Sequence, residues 1–242
     1  MTRQFELRRA VEVAGSVEEV WQAVATVEGQ AAWRLPAGGE TAEAIGDLMF
    51  GHRVEIIDPP HHLRLTAEEA DGRPDIVEYL VEPLSDGVRL GYLHAGVIDD
   101  DDEITYDSTA QHTDFFLHTL GQYLAHFSGR PMVYYGAEAP PAGAAPGSFA
   151  RLRTDLGIPG DAVEGDQVAV GIQGVAPITA VIDYLRPDFL GLRSSDALYR
   201  FFGRDAFGRP VALGHHLFGG HLDEVLEEPA WRGWLDNLFS AG

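Results

Sequence analysis

The chain has 242 residues, with 17 basic and 38 acidic side chains and a formal net charge of −21. Every basic residue is an arginine, and there is no cysteine, which excludes lysine Schiff bases, thiol nucleophiles, disulfides and thiolate metal sites. The acidic balance argues against nucleic acid or an anionic membrane as a partner, because both need a basic footprint. No leader pattern or membrane-length apolar run is present, so a cytoplasmic protein is expected.

The N-terminal segment predicts one strand followed by two short helices. Apolar residues alternate along 5–13, which is the period of a half-buried strand. Ser16 and Glu19 have the spacing of a capping box, and the apolar residues after them recur at helical spacing. Gly29 interrupts this helix, and a short second helical turn ends at Trp33.

Four strand-like segments with period two come next, at 50–58, 62–70, 75–84 and 87–97. The Asp-Pro-Pro, Asp-Gly and Ser-Asp-Gly sequences between them are good turn formers. Short strands at this spacing predict an antiparallel meander. The acidic run 99–103 is interpreted as a solvated loop rather than a metal cluster, because consecutive like charges repel one another.

A helix of about five turns is predicted over 108–128 from its apolar spacing. Its predicted inward stripe consists of Thr109, His112, Phe116, Leu120, Tyr123, Leu124 and Phe127. Asp114, His118, Gly121 and Ala125 are placed on the opposite side. Because two short helices cannot cover a curved sheet, this long helix is expected to lie across the concave face and to enclose a cavity.

This order of elements resembles the START-like superfamily, also called SRPBCC, helix-grip or Bet v 1-like. The resemblance is carried by 5–33, 58–65 and 114–127, with Val20-Trp21 and Trp33 as its most specific points. The bacterial branch related to the activator of Hsp90 ATPase (AHSA1-like) is the most similar. The resemblance implies an α+β helix-grip domain over 1–128, with a curved antiparallel sheet, two short helices and a long C-terminal helix. It indicates fold far better than function.

The remaining chain predicts a second domain. Residues 129–147 are rich in Pro, Gly and Ala and are interpreted as a linker. A short helix capped by Ser148, five strand-like segments and a terminal helix with Trp231 and Trp234 suggest that 148–242 is a second, truncated START-like α+β module. The alternative is that these strands extend the first domain.

Aromatic and polar residues on the predicted inner faces are the candidate site. The candidate ligand-binding residues are Trp21, Trp33, Tyr79, Tyr92, His94, His112, Phe116, Thr119, Leu120 and Tyr123. His112, Tyr123 and His94 are also the acid/base candidates for a catalytic role. The alternative for His112 is a partly exposed side chain or one bonded to a sheet carbonyl. Arg34 can meet an anionic ligand at the cavity mouth or simply be exposed.

No metal or cofactor is predicted. The pairs His61-His62 and His215-His216 are adjacent on strands, so each pair points to opposite faces. His112 and His118 are six residues apart on a helix, and no His-x-x-x-His motif occurs. The sequence also lacks a Gly-x-Ser-x-Gly elbow and a phosphate-binding Gly-rich loop.

Three function classes follow. The resemblance implies most generally the binding of a small hydrophobic or aromatic molecule in the cavity. The second class is an enzyme of the polyketide cyclase/dehydratase or hydrolase type that uses acid/base groups in the same cavity. The third is an Hsp90-activator-like interaction module, in which the Trp231/Trp234 helix packs on the first module or on another subunit. Self-association into a homo-oligomer is left open.

Overall fold

The computed structural model describes residues 2–34, 48–49, 52–68, 72–99, 103–219 and 227–240. It divides the chain into two compact units, Met1–Ser128 and Gly129–Gly242. Each unit is α+β and contains one six-stranded antiparallel sheet. None of the helices in the described ranges has both the length and the apolar character that a membrane crossing requires.

The first unit follows the predicted order of elements. Its elements are β1 (Thr2–Val13), α1 (Val17–Ala25), α2 (Val27–Ala31), β2 (Leu48–Met49), β3 (His52–Asp58), β4 (His62–Glu68), β5 (Pro74–Pro83), β6 (Val88–Asp99) and α3 (Glu103–His126). The strands are ordered β1-β6-β5-β4-β3-β2, so the predicted meander is confirmed and β1 closes it by pairing with β6.

The two short helices begin and end as their cap residues predict. The Ser16 hydroxyl accepts from the backbone N–H of Glu19, and the Glu19 carboxylate accepts from the Ser16 N–H at 2.7 Å, so the capping box is confirmed. Thr26 caps α2 by accepting from the Gly29 N–H at 3.0 Å. A Cβ on Gly29 would lie 2.0 Å from the Gln22 carbonyl oxygen. Only glycine therefore lets α2 pass this close to α1.

One apolar core joins the inner face of the first sheet to α1 and α3. Its members are Val13, Val20, Trp21, Ala23, Val24, Ala25, Trp33, Leu63, Leu65, Val77, Tyr79, Val81, Val88, Leu90, Tyr92, Leu117, Leu120 and Leu124. On each strand these residues alternate with outward-facing ones, as a sheet buried on one face requires. The short helices and the long helix thus share one face of an antiparallel sheet, which is the predicted helix-grip arrangement.

The long helix differs from its prediction in length and in rotation. It begins at Glu103 rather than at 108, and its buried side chains are Thr113, Phe115, Leu117, Thr119, Leu120 and Leu124, with Phe127 buried just after its end. Four residues of the predicted inward stripe are only half-buried, namely Thr109, His112, Phe116 and Tyr123. Apolar residues occupy several sides of this helix, so their spacing could not fix its rotation. Asp114, predicted to face outward, instead pairs with Arg9 of β1.

The second unit is also built from strands and short helices. Its elements are β7 (Met132–Glu138), a 3₁₀ helix (Pro141–Ala144), α4 (Ser148–Asp155), β8 (Gln167–Val170), β9 (Ile178–Arg186), β10 (Phe189–Arg193), β11 (Ala197–Phe202), a 3₁₀ helix (Arg204–Phe207), β12 (Ala212–Phe218) and α5 (Glu227–Phe239). The five predicted strands and the terminal helix are all present.

The predicted linker at 129–147 is wrong. Residues 132–138 form β7, which pairs with β12 at one edge of the second sheet, in the order β7-β12-β11-β10-β9-β8. The Pro- and Gly-rich remainder forms the 3₁₀ helix at 141–144. Composition misled here because the strand residues Met-Val-Tyr-Tyr stand directly between two breaker-rich stretches. The expected Ser148 cap is also absent, since Gly147 occupies that position and Asp205 accepts from its N–H at 3.1 Å.

Candidate functional site

A cluster of polar side chains lies on the inner face of the first sheet, beside the apolar core. Asp75 of β5 accepts hydrogen bonds from two histidines, at 2.7 Å from His94 Nε2 of β6 and at 2.9 Å from His52 Nε2 of β3. The side chains of His52, Asp75 and His94 are 21%, 24% and 21% exposed. The inner face is therefore polar and reachable by solvent at this point.

The strands place this cluster by simple alternation. Asp75 precedes Val77 and Tyr79 on the inward-facing positions of β5, and His94 follows Tyr92 on those of β6. The sheet register pairs Val77 with His94, so Asp75 lies one diagonal step from His94.

The charge of Asp75 is fixed by its partners. Burial alone would raise the pKa of the Asp75 carboxyl, but the hydrogen bonds from His52 and His94 outweigh it and hold that pKa well below its usual range. Asp75 is therefore ionised at neutral pH and can only accept hydrogen bonds. It follows that both histidines carry a proton on Nε2.

Two tyrosines extend the cluster toward the core. Tyr79 and Tyr92 are register partners on β5 and β6, and their rings meet edge to face with centroids 5.5 Å apart. Burial raises the pKa of both phenols, so both hydroxyls stay protonated at neutral pH. The Thr113 side chain of α3 lies close enough to the Tyr92 hydroxyl to offset part of this rise in the pKa of Tyr92. Tyr92 thus links the sheet to the long helix.

Arg34, just after α2, brings a positive charge to the same face. Its Nη1 lies 3.5 Å from the Tyr79 hydroxyl and 3.3 Å from Gln30 Oε1, and its guanidinium lies 5.9 Å from the centre of the Trp33 ring. Burial opposes this charge, yet nearby Tyr79, Tyr92 and Asp75 leave the pKa of Arg34 raised. Arg34 is half-buried beside the tyrosines rather than fully exposed.

The other predicted site residues occupy several environments. Trp21, Trp33 and Leu120 lie inside the apolar core, and Trp33 Nε1 donates to the Ala23 carbonyl at 2.9 Å. Phe116 and Tyr123 are half-buried and pack against that core.

Two polar residues of α3 bond to their own helix. The buried Thr119 hydroxyl donates to the Phe115 carbonyl at 2.8 Å. His112 Nδ1 lies 2.8 Å from the Ser108 carbonyl oxygen, and its ring is tilted against Phe116. Among the acid/base candidates, His94 forms a hydrogen bond with a carboxylate, that of Asp75.

Four polar residues of this face were not predicted from the sequence: Asp75, His52, Gln30 and Thr113. A signal for Asp75 exists, since continuing the alternation of Val81, Tyr79 and Val77 backward places it on the inner face. His52 has no comparable signal, because its distance from Asp75 depends on the sheet register.

The described residues contain no group of three or more His, Cys, Asp or Glu side chains placed to hold a metal ion. His61 Nδ1 lies 3.1 Å from the Val81 carbonyl oxygen, while His62 Nε2 bonds Glu78 at 2.7 Å. Adjacent histidines thus have separate partners, as strand alternation predicts. His221 and most of the acidic run 99–103 lie outside the described residues.

The second unit contains a different histidine environment. His215 of β12 is 0% exposed and meets four aromatic rings, those of Tyr135, Tyr199, Phe201 and Trp231, with centroids 4.6–5.1 Å away. Burial lowers the pKa of His215 to about 3, so the imidazole is neutral at physiological pH. Among the described residues, its Nε2 has no hydrogen-bond partner.

A buried ion pair lies on the other face of the second sheet. Arg200 of β11 and Asp183 of β9 form two parallel hydrogen bonds of 2.9 and 2.8 Å, with side chains 2% and 3% exposed. Gly191 of β10 makes room for the pair, since a Cβ there would lie 2.7 Å from Asp183 Oδ1. Both charges are compensated, which a buried pair requires.

No protein-family model matches the chain, and no curated protein matches it. Solved structures that resemble it include the Aha1 dimer from Colwellia psychrerythraea, at 15% identity and TM-score 0.40, covering 50% of this chain and 96% of that one. An AHSA1-like protein from Rhizobium etli matches at 16% identity and TM-score 0.41, covering 53% and 84%. DynU16, from the dynemicin biosynthetic locus, matches at 17% identity and TM-score 0.36, covering 96% of both chains.

These structures include AHSA1-like proteins, the branch that the sequence resembles. Their identities and TM-scores are too low to carry an argument about activity. The assignment of the first unit as a helix-grip domain therefore stands on its own element order, sheet topology and core.

Proposed function

We propose that the first unit binds a small hydrophobic or aromatic molecule on the inner face of its sheet, under α3. The observation that carries this proposal is a solvent-reachable polar cluster at the margin of an otherwise apolar face, with His94 and Asp75 about one-fifth exposed. Ligand sites combine an apolar lining with a few polar groups that fix orientation. Tyr79, Tyr92 and Phe116 supply aromatic surface beside those polar groups.

The test is a titration of the full-length protein with naphthalene, followed by backbone amide NMR. The expected result is saturable shifts at Tyr92, His94 and Leu120 on the inner face, with none at Ile182 or Leu192 in the second unit's core. Shifts that never saturate, or that spread equally over both units, would contradict the proposal.

A blocking variant gives the control. Ala67 is the register partner of Asp75, so a large side chain there would cover the polar cluster. Ala67→Trp is expected to abolish saturable naphthalene binding. Ala10→Trp, on the exposed positions of β1, adds the same side chain to the opposite face and should leave binding unchanged.

A second candidate function is acid/base catalysis on the same bound molecule. The favouring observation is the 2.7 Å hydrogen bond from His94 Nε2 to Asp75, because a carboxylate that orients an imidazole is a common support for a general base. His94→Gln is expected to keep ligand binding and to lose turnover. Mass spectrometry of molecules recovered from wild type and from this variant measures the difference, and identical products from both would remove His94 from this role.

A further inference from the structure

We propose that the ligand of the first unit carries an ionisable aromatic hydroxyl, and that His94 accepts its proton. The inference rests on the proposed binding function and names the polar group of the ligand. The ligand O–H bond breaks, an N–H bond forms on His94 Nδ1, and the electron pair stays on the ligand oxygen. The products are an aromatic oxyanion and an imidazolium, and no other reactant takes part.

The protonation state of His94 follows from Asp75. The Asp75 carboxylate is an acceptor on both oxygens, at 2.7 Å from His94 Nε2 and 2.9 Å from His52 Nε2. His94 therefore carries its proton on Nε2, and in the neutral imidazole Nδ1 keeps a lone pair. Among the residues that the structure describes, none donates a hydrogen bond to that Nδ1. The Nδ1 lone pair of His94 can therefore accept a hydrogen bond from a ligand that has a donor group, such as a hydroxyl.

The surroundings of His94 favour an aromatic ligand. Phe5 of β1 meets the imidazole edge to face at 5.2 Å, which fixes the plane of the ring together with Asp75. Tyr92 is the next inward-facing residue of β6, and Tyr79 stands opposite it on β5. Offset and edge-to-face contacts between rings add to the free energy that burial of their area supplies.

The charges on this face stabilise both products of the transfer. An imidazolium at His94 would stand 2.7 Å from the ionised Asp75, so the two opposite charges would attract each other. On the ligand side, the half-buried Arg34 brings a positive charge beside Tyr79. His52 of β3 and Thr113 of α3 complete the polar groups that line this end of the face.

The experiment compares 4-nitrophenol with 4-nitroanisole on the full-length protein. The two probes have the same aromatic body, but the second has a methoxy group in place of the hydroxyl. Below the pKa of free 4-nitrophenol, binding is expected to produce the visible absorbance band of the phenolate. The anisole is expected to bind at least about tenfold more weakly, since a hydrogen bond to a charged group is typically worth that much or more.

The chain offers a matched control for the histidine. His94→Gln keeps a donor toward Asp75 but removes the basic nitrogen, so it should lose the phenolate band and the preference for the hydroxyl. His62 also forms a 2.7 Å hydrogen bond with a carboxylate, that of Glu78, but it belongs to the outward positions of β4. His62→Gln should therefore behave as wild type.

A measurement on the unaltered protein covers the case in which a variant misfolds. Long-range ¹H–¹⁵N NMR of the His94 ring is expected to give the Nε2–H tautomer, and an Nδ1–H tautomer overturns the proposal. Equal affinity for both probes, or 4-nitrophenol bound as the neutral phenol, also overturns it but leaves inner-face binding intact. Failure of both probes to bind defeats this inference, and failure of naphthalene as well defeats the binding function.

Discussion

Histidines lie on the inner faces of both sheets, and their surroundings differ in solvent exposure and in the groups that contact them. In the first unit, His52 and His94 share the Asp75 carboxylate and are 21% exposed. In the second unit, His215 is 0% exposed and surrounded by aromatic rings. The first environment joins two imidazoles to an ionised carboxylate, whereas burial in the second suppresses a positive charge.

The difference teaches where chemistry can take place in this chain. A histidine that a carboxylate orients near solvent can exchange a proton with a ligand. A neutral imidazole packed among aromatic rings contributes mainly shape and contact area. His215 therefore lies against a packed apolar core, which contains Trp231 and Leu235 of α5. Of the two α5 tryptophans in the predicted interaction helix, Trp231 lies inside that core and the partly buried Trp234 packs against it.

The largest expected effect comes from removing the Trp231 ring, which packs against His215. Trp231 is 0% exposed, and its ring centroid lies 4.6 Å from that of His215. Trp231→Ala should lower the free energy of unfolding by about 3–5 kcal/mol, the usual cost of deleting a buried aromatic side chain. Denaturant unfolding measures it, and a loss below about 1 kcal/mol would show that this aromatic core is not tightly packed.

Acid should destabilise the second unit through His215. Its pKa is lowered to about 3 from 6.5, so below pH 6.5 the unfolded chain binds a proton that the folded chain refuses. Stability is therefore complete above the unfolded pKa and falls with pH, by about 2 kcal/mol on reaching pH 5. His215→Phe should remove this dependence. Hydrogen exchange at Ile182 and Leu192 measures it, and an unchanged slope in the variant would contradict the assignment.

Acid should also destabilise the first unit through Asp75, but in a more acidic window. Its folded pKa lies below the ordinary 3.8, so the ionised carboxylate contributes stability at neutral pH that is lost as pH falls through and below about 4. Asp75→Asn should cost about 1–2 kcal/mol at pH 7, because both histidine donors lose a charged acceptor and one of them then faces the amide NH₂ group. The gap between wild type and variant should close in acid, and a gap that widens there would be contrary to this account.

The smallest effect concerns the helix that covers the apolar end of the first unit's face. Ser16→Ala removes half of the capping box of α1 and should cost about 1 kcal/mol. Ser148→Ala at the start of α4 is the matched comparison, because the Ser148 side chain forms no cap hydrogen bond there. The two variants are compared by thermal unfolding, with equal losses counting against a specific role for the Ser16 cap.

Local sequence signals predicted most of the elements. Ser16 and Glu19 fixed the start of α1, and the alternation of Val88, Leu90, Tyr92 and His94 placed a face of β6 correctly. Such signals depend on residues near one another in the chain, so they survive without knowledge of the fold.

The candidate site depended on longer-range information. Asp75 joins His52 and His94 across three strands, and no local pattern encodes that register. The predicted rotation of α3 was wrong for a related reason, because Thr113 is buried near Tyr92 whereas the more apolar Phe116 is only half-buried. Strand β7 was hidden because tertiary pairing with β12 outweighs the breaker residues around it.

Gly29 has a consequence for the charge at this face. The missing methyl group allows α2 to fold back on α1, and α2 leads directly to Trp33 and Arg34. Any larger residue at 29 would force the two helices apart and carry the guanidinium away from Tyr79. The electrostatics of the inner face are thus governed by a residue that has no charge, no polar group and no side chain at all.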